Sequence, residues 1–218
     1  MMGDCQSTAA VEAADPAPMG PSGISKRVAL GAGCYWGTEK FIKKEFIKKF
    51  PGSITLEKTK VGFMSPEDAP KIKNPTYRQV CTGESGHVEV LYVELNEPEK
   101  YFEELIRFFF TFHDPTTLNR QGNDSGFQYA SFIFVGDDMQ RDIAQKVKTE
   151  LQSLIETKKV TRFSGKNVTS LISPIKVFTE AEEAHQEYLS KNASGYCNHY
   201  IRIKEWPKLE EATKSEEE

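Results

Sequence analysis

The sequence has few cysteines, and it lacks the apolar runs and the basic excess that define several classes of protein. Its 218 residues include four cysteines without a CxxC pair, which argues against a zinc site and a secreted disulfide framework. No apolar run approaches the length of a membrane span. The net charge of -4 argues against binding to nucleic acid or to a membrane surface. We therefore expect a cytoplasmic protein that binds neither nucleic acid nor a membrane.

The composition divides the chain into one folded region and two polar ends. Residues 1–23 are rich in Ala, Pro, Gly and Ser and show no periodicity, which predicts a disordered tail. This tail has no apolar segment typical of a secretory signal and no Arg typical of a transit peptide. The charged end at 207–218 is expected to fray. The region 24–206 is long enough for one sizeable core, so we predict a single domain there.

Strand and helix patterns alternate along this region. Apolar runs predict strands at 28–30, 53–63, 88–95, 131–135, 168–172 and 175–178. Helical periodicity predicts helices at 36–50 and 137–158, a helical turn or two at 181–189, and a helix that follows an Asn96 N-cap. The order β-α-β-β-α-β predicts an α+β fold of the split βαβ or ferredoxin-like kind. Such a two-layer sandwich has a mixed, mostly antiparallel sheet, here followed by an irregular C-terminal tail.

One cysteine lies in a glycine-rich turn between the first strand and the first helix. The run Gly-Ala-Gly-Cys-Tyr-Trp-Gly at 31–37 places Cys34 at the first free N–H groups of that helix. This setting predicts a lowered pKa and a nucleophilic sulfur. The two aromatic residues that follow suggest an apolar pocket beside it. An ordinary tight turn with a small buried side chain explains the run equally well.

Four further residues are candidates for a site, and each also has a purely structural explanation. Glu89 lies early in an apolar strand, where burial raises the pKa of a carboxyl group and produces a general acid. A solvent-facing glutamate would fit the same pattern. Tyr77 and Tyr129 are equally well explained as packed rings, and Asp124 as an Asx-turn residue.

Taken together, these residues belong to a series of motifs that resembles the A-type methionine sulfoxide reductases from about residue 27 to residue 200. The resemblance rests on GCYWG at 33–37, NPTY at 74–77, GHVE at 86–89, HDPT at 113–116, RQGND at 120–124, QY at 128–129, AEEAHQEYL at 181–189 and GYC at 195–197. Any one of these motifs occurs by chance, but this many in one order is specific.

The resemblance implies an oxidoreductase that repairs oxidised proteins under oxidative stress by reducing the S epimer of methionine sulfoxide, free or in proteins. The oxygen would pass to Cys34 as a sulfenic acid, Cys197 would form a disulfide with it, and thioredoxin would restore both thiols. Neither a metal nor an organic cofactor is required, and we expect a monomer. The implied roles are Cys34 as nucleophile, Tyr35 and Trp36 around the substrate methyl, Glu89, Tyr77 and Tyr129 on the sulfoxide oxygen, Asp124 on the substrate amide, and Cys197 as resolving cysteine.

The chain departs from the family pattern at a few positions. Tyr35 replaces the usual Phe; a hydroxyl at the rim of the pocket can point to water, so we expect retained function with a slightly altered pocket. The segment between Cys34 and Tyr77 is longer than usual, and Cys81 is expected to be a buried structural thiol. Two other functions stay open: a thiol peroxidase or sensor in which Cys34 meets peroxide directly, and a methionine-binding module without catalysis. The predicted oxygen-binding residues argue against the sensor, because peroxide needs no cage of methyl size.

Overall fold

The computed structural model describes residues 19–21 and 23–208. Its strands are β1 (Arg27–Ala32), β2 (Lys60–Met64), β3 (Val88–Glu94), β4 (Arg120–Gln121), β5 (Asp124–Ser125), β6 (Ser131–Val135), β7 (Leu171–Pro174) and β8 (Phe178–Glu180). Six of them form one sheet in the order β7-β6-β1-β3-β2-β8, and β4 and β5 form a separate small hairpin. Within the six-stranded sheet β6 and β7 run parallel, whereas the other neighbouring strands run antiparallel.

Five helices accompany the sheet in the described ranges. Helix α1 covers residues 35–49. It starts as an α-helix at Tyr35–Lys40, continues as a π-helix at Phe41–Phe46 and ends as an α-helix at Ile47–Lys49. The other helices are α2 (Tyr77–Cys81), α3 (Pro98–Phe112), α4 (Asp138–Glu156) and α5 (Tyr188–Lys191). None of these helices is both long and apolar enough to cross a membrane.

The main core lies between the helices and one face of the sheet. Side chains alternate between the two faces of a strand, so Leu30 and Leu91 pack with the helical residues Phe102 and Phe109. The alternate residues form a smaller apolar cluster on the opposite face, centred on Phe132 and its neighbours. The predicted α+β sandwich with a mixed, mostly antiparallel sheet is therefore confirmed.

Several predicted boundaries are wrong. Only the last part of the strand predicted at 53–63 belongs to β2, because a 3-10 turn at Leu56–Lys58 precedes it. The last two strands begin three residues later than predicted, at Leu171 and Phe178. Glu97 rather than Asn96 caps α3, because the side-chain amide of Asn96 donates to the carbonyl oxygen of Gly52 at 2.7 Å. The helical turns predicted at 181–189 begin as turns, and α5 starts at Tyr188.

The strand register brings the predicted site residues to one edge of the sheet. Leu30 pairs with Leu91 across the antiparallel strands β1 and β3, so the start of β3 lies beside the end of β1. Ala32 pairs with Ser131 in the same way, which adds the start of β6. Residues just after β1 and just before β6 therefore meet the first residues of β3.

The predicted polar ends fall largely outside the described residues. Residues 1–18, 22 and 209–218 are not described, and Cys5 is among them. The predicted limits of the tails and of the single domain at 24–206 stay predictions.

Candidate active site

Cys34 lies directly after β1 and caps the N-terminus of α1. Its own backbone is extended, at φ -55° and ψ 122°, whereas Gly33 before it has φ +88°, a conformation that glycine adopts without strain. A side chain at Gly33 would also meet Cβ of Gln121 at 2.4 Å. The glycine therefore allows both the turn and the close approach of β4. As a result, Cys34 is buried and only 9% exposed.

Glu89 points from the second position of β3 towards the start of α1. It is 2% exposed, and its Oε2 accepts a hydrogen bond of 3.1 Å from the backbone N–H of Tyr35. Burial raises the pKa of Glu89 to about 8, although the Tyr35 N–H opposes the shift. The predicted burial and raised pKa are confirmed, so Glu89 holds its proton at neutral pH and can donate it.

The predicted lowering of the Cys34 pKa is wrong. The backbone N–H groups of Trp36 and Gly37 do lower the pKa, as the helix N-terminus predicts. Burial and the neighbouring Glu89 outweigh them and raise the pKa of the Cys34 thiol well above its ordinary value. Cys34 is therefore a thiol at rest.

Tyr35 and Trp36 form an aromatic wall with the segment that leads into α5. The ring of Tyr35 lies 5.8 Å from the ring of His185. The Trp36 indole stacks against the ring of Tyr188, with centroids 3.8 Å apart. Tyr77 closes the wall, because its ring centroid lies 4.4 Å from that of His185. The predicted aromatic pocket thus gains two rings, His185 and Tyr188, which sequence reasoning left outside the site.

The hydroxyl of Tyr35, which the sequence left unplaced, is buried and does not point to water. Tyr35 is 1% exposed, and its hydroxyl has no hydrogen-bond partner among the described residues. The reason is the depth of the ring, which packs against Phe63 with centroids 5.8 Å apart. Burial raises the pKa of Tyr35, and the charge of nearby Glu89 raises it further. The Tyr35 hydroxyl therefore keeps its proton.

Two polar side chains hold the segment that carries His185 and Tyr188 in place. Buried Glu39 accepts the backbone N–H of Glu187 at 2.8 Å. The Gln186 side chain pairs with the backbone of Val61 in both directions, at 3.0 Å and 2.9 Å. These bonds join the segment to α1 and to β2, because each of the two elements offers a buried polar partner.

Tyr77 and Tyr129 are half-buried and lie near Glu89. Tyr77 begins α2 after a Thr76 capping box, and Tyr129 ends the 3-10 turn before β6. Burial raises the pKa of both hydroxyls, and the charge of Glu89 adds to both shifts.

Cys81 is exposed rather than buried as predicted. It is the last residue of α2.

Asp124 reaches the same site from β5 and is bonded to the segment around Cys197. Its Oδ1 accepts from the Tyr196 hydroxyl at 3.2 Å, and its Oδ2 accepts from the Asn198 amide at 2.9 Å. Burial raises the Asp124 pKa, and these two hydrogen bonds lower it in part. The charge of Asp124 also adds to the raised pKa of Cys34, so the two groups share one site.

Cys197 lies beside this cluster in the irregular C-terminal tail. It is half-buried, and its Sγ donates weakly to the carbonyl oxygen of His199 at 3.9 Å. Cys34, Cys81 and Cys197 are all free thiols. The sequence patterns do not predict Asn198 and His199 as site residues. The only signal for them is their position directly after Cys197, in a tail without helix or strand. Among the described residues no three His, Cys, Asp or Glu side chains form a group that could hold a metal ion.

Comparisons with known proteins agree with this arrangement. The family described as Peptide methionine sulfoxide reductase matches residues 26–217. A peptide methionine sulfoxide reductase MsrA of Clostridium botulinum strain Okra is 38% identical over 177 residues, which are 81% of this chain and 99% of the relative.

Two solved structures from Saccharomyces cerevisiae have the same fold. Reduced Mxr1 has a TM-score of 0.69 and 36% identity, over 85% of this chain and 96% of that one. Mxr1 in complex with Trx2 has a TM-score of 0.51 and 27% identity, over 85% and 95%. The chain therefore belongs to the peptide methionine sulfoxide reductase family and to its A type.

Proposed function

We propose that this protein reduces the S epimer of methionine sulfoxide, free or in proteins, with Cys34 as the nucleophile and thioredoxin as the final reductant. The observation that carries the proposal is the pairing of a buried Cys34 with a buried Glu89 that stays protonated at neutral pH. A sulfoxide sulfur becomes a good electrophile only when its oxygen is protonated or strongly hydrogen-bonded. A neutral carboxylic acid supplies this proton or hydrogen bond, and the thiol beside it supplies the nucleophile.

In the first step the proton moves within the site. Glu89 donates its proton to the sulfoxide oxygen, which also accepts hydrogen bonds from Tyr77 and Tyr129. The Cys34 sulfur then attacks the activated substrate sulfur as its own proton passes to Glu89, and an S–S bond forms. The hydroxyl group moves from the substrate sulfur to the Cys34 sulfur, the S–S bond breaks, and methionine leaves. Cys34 becomes a sulfenic acid and Glu89 is protonated again, so no external acid is consumed.

The raised pKa of Cys34 supports this concerted order. A resting thiolate at Cys34 would lie in a poorly hydrated, buried site, which favours the thiol. The thiol loses its proton only when Glu89 has given its own proton away and become the nearest base. The site thus reacts with a sulfoxide more readily than with other electrophiles, because the substrate itself triggers the proton transfer.

The remaining site residues account for recognition of the substrate. The Tyr35 and Trp36 rings lie next to Cys34 in the chain and offer an apolar surface for the methyl group on sulfur. Asp124 offers carboxylate oxygens to a backbone N–H of the substrate.

Recycling proceeds through Cys197. Its thiol attacks the Cys34 sulfenic acid, an S–S bond forms, the S–O bond breaks, and the oxygen leaves as water with the thiol proton. Thioredoxin then reduces the disulfide by exchange. The complex of yeast Mxr1 with Trx2 supports thioredoxin as the reductant. The predicted monomeric state and cytoplasmic location stay predictions.

An assay with resolved epimers tests the proposal. The reduced protein is given peptides that carry the S or the R epimer of methionine sulfoxide, first with dithiothreitol and then with thioredoxin, and methionine is measured. We expect turnover of the S epimer with both reductants and little of the R epimer. Absence of S-epimer turnover would refute the proposal, and turnover of hydrogen peroxide alone would favour a thiol peroxidase.

A further inference from the structure

His199 fastens the tail after Cys197 to the strand that leads to Cys34. The ring is 7% exposed, and its Nε2 lies 2.6 Å from the carbonyl oxygen of Ala32. A carbonyl oxygen only accepts, so Nε2 carries the proton and donates it. Burial lowers the pKa of His199 to about 4, and the ring is therefore neutral at physiological pH. The bond joins the second residue after Cys197 to the second residue before Cys34.

The ring of His199 fits against the first turn of α1 because residue 37 is glycine. A Cβ at Gly37 would lie 2.0 Å from Nδ1 of His199, which is closer than atoms pack. The rings of Phe41 and Phe112 enclose the imidazole, with centroids 6.3 Å and 5.7 Å away. His199 is thus packed on the helix whose N-terminus carries Cys34, as well as bonded to Ala32.

Asn198 provides a second attachment on the other side. Its side-chain amide donates to the carbonyl oxygen of Gln121 at 2.7 Å and to Asp124 at 2.9 Å. Gln121 is the residue that packs on Gly33, so Asn198 also connects to the turn that holds Cys34. The two residues after Cys197 therefore contact both sides of this turn.

We propose that Asn198 and His199 are positioning residues for the resolving step, and that they keep Sγ of Cys197 within reach of the Cys34 sulfenic acid. This inference rests on the proposed role of Cys197. In that step the Cys197 thiol forms an S–S bond with Cys34, the S–O bond breaks, and water leaves. A tethered thiol meets its partner far more often than a freely moving one, and the tail has no helix or strand of its own to limit its movement.

The test separates the two steps in a single turnover of the full-length protein. Reduced wild type, Asn198→Ala and His199→Phe are mixed with one equivalent of a methionine S-sulfoxide peptide. Methionine release reports the first step, and formation of the Cys34–Cys197 disulfide, measured by mass spectrometry after the remaining thiols are alkylated, reports the resolving step. We expect the ratio of the second rate to the first to fall by about 10- to 100-fold in both variants, since a misplacement of about 1 Å can cost about 100-fold.

Two controls keep the interpretation specific. Lys204→Ala changes an exposed residue of the same tail and should leave the ratio unchanged. His199→Gln keeps an amide N–H donor and should recover part of the rate that His199→Phe loses, which a loss of packing alone would not produce. Thermal unfolding identifies any variant that fails to fold, and the half-buried Asn198 offers a test that does not disturb the core.

The outcomes distinguish this inference from the proposed function. If Cys197→Ser still recycles with thioredoxin, the resolving role of Cys197 is wrong and the inference falls with it. If Cys197→Ser blocks recycling while Asn198→Ala and His199→Phe keep a ratio within about twofold of wild type, the proposed function stands and the positioning role is refuted.

Discussion

The backbone N–H of Tyr35 donates a hydrogen bond of 3.1 Å to Oε2 of Glu89. This bond connects the residue after the proposed nucleophile, Cys34, to the residue that we propose as the proton donor. It fixes the carboxyl group against the N-terminus of α1 and lowers its pKa in part, but burial still raises that pKa to about 8. The protonated carboxyl group of Glu89 therefore lies against the helix N-terminus that Cys34 caps.

The rate of sulfoxide reduction should fall as the pH rises through about 8, the pKa of Glu89. Above this pH the free protein loses the proton that activates the sulfoxide oxygen, so kcat/KM should decrease about tenfold per pH unit. Glu89→Gln should be slower by about 10²- to 10⁴-fold and should show no decrease at this pH. Initial rates from pH 6 to pH 10 measure both effects.

Glu94→Gln is the matched control for that experiment. Glu94 belongs to the same strand, but it pairs with Lys58 at 2.9 Å on the opposite face, and its removal should leave the pH profile unchanged. A decrease near pH 8 that persists in Glu89→Gln would assign the titration to another group.

Stability should also depend on Glu89. The folded pKa of about 8 lies above the ordinary 4.5, so between these values the folded state keeps a proton that the unfolded state has released. The free energy of unfolding should then fall as the pH rises from 4.5 to about 8, by up to about 1.4 kcal/mol per pH unit, and level off above. Urea unfolding of wild type and Glu89→Gln measures this, because the difference between them isolates residue 89. A difference that does not change with pH would contradict the assigned pKa.

Local sequence patterns predicted the positions of Cys34 and Glu89 but not the protonation of Cys34. The helix N-terminus is visible in the sequence, and its N–H groups do lower the thiol pKa. Burial depth and the distance to a carboxyl group 55 positions later are tertiary properties, and they decide the direction of the shift. The same reason explains Tyr35, whose exposure depends on its packing against Phe63.

The C-terminal half of the site was the hardest part to predict. Residues 181–208 have little regular structure, so periodicity offers no guide to which side chains point inwards. His185 and His199 enter the site through bonds and ring contacts with residues more than 100 positions earlier. The edge strands β7 and β8 begin later than predicted for a related reason, since strands of four and three residues are too short to show a clear alternation of apolar and polar positions.

Tyr35→Phe should make the protein more stable. The substitution removes a buried hydroxyl that has no partner among the described residues, and an unsatisfied buried polar group costs about 1–3 kcal/mol. The free energy of unfolding should rise by an amount in that range, with S-epimer reduction retained. Tyr101→Phe is the control, because the Tyr101 hydroxyl is not among the buried polar atoms that lack a hydrogen-bond partner. Equal or lower stability of Tyr35→Phe would mean that its hydroxyl has a partner.

Gly37→Ala should destabilise the protein even though alanine favours helices by about 1 kcal/mol over glycine. The new Cβ would lie 2.0 Å from His199 Nδ1, so the imidazole has to move, at a cost of about 1–3 kcal/mol. In a His199→Ala background the same substitution should cost much less. A double-mutant cycle measured by urea unfolding gives the coupling, and additive effects would contradict the close contact of the two residues.

In the proposed mechanism the sulfoxide oxygen passes to the sulfur of Cys34. Mass spectrometry of reduced Cys197→Ser detects this transfer after one equivalent of a methionine S-sulfoxide peptide, with dimedone present to trap sulfenic acid. We expect one dimedone adduct on the peptide that contains Cys34 and one equivalent of methionine. Methionine release without an adduct on Cys34, or an adduct on Cys81 in its place, would refute oxygen transfer to Cys34.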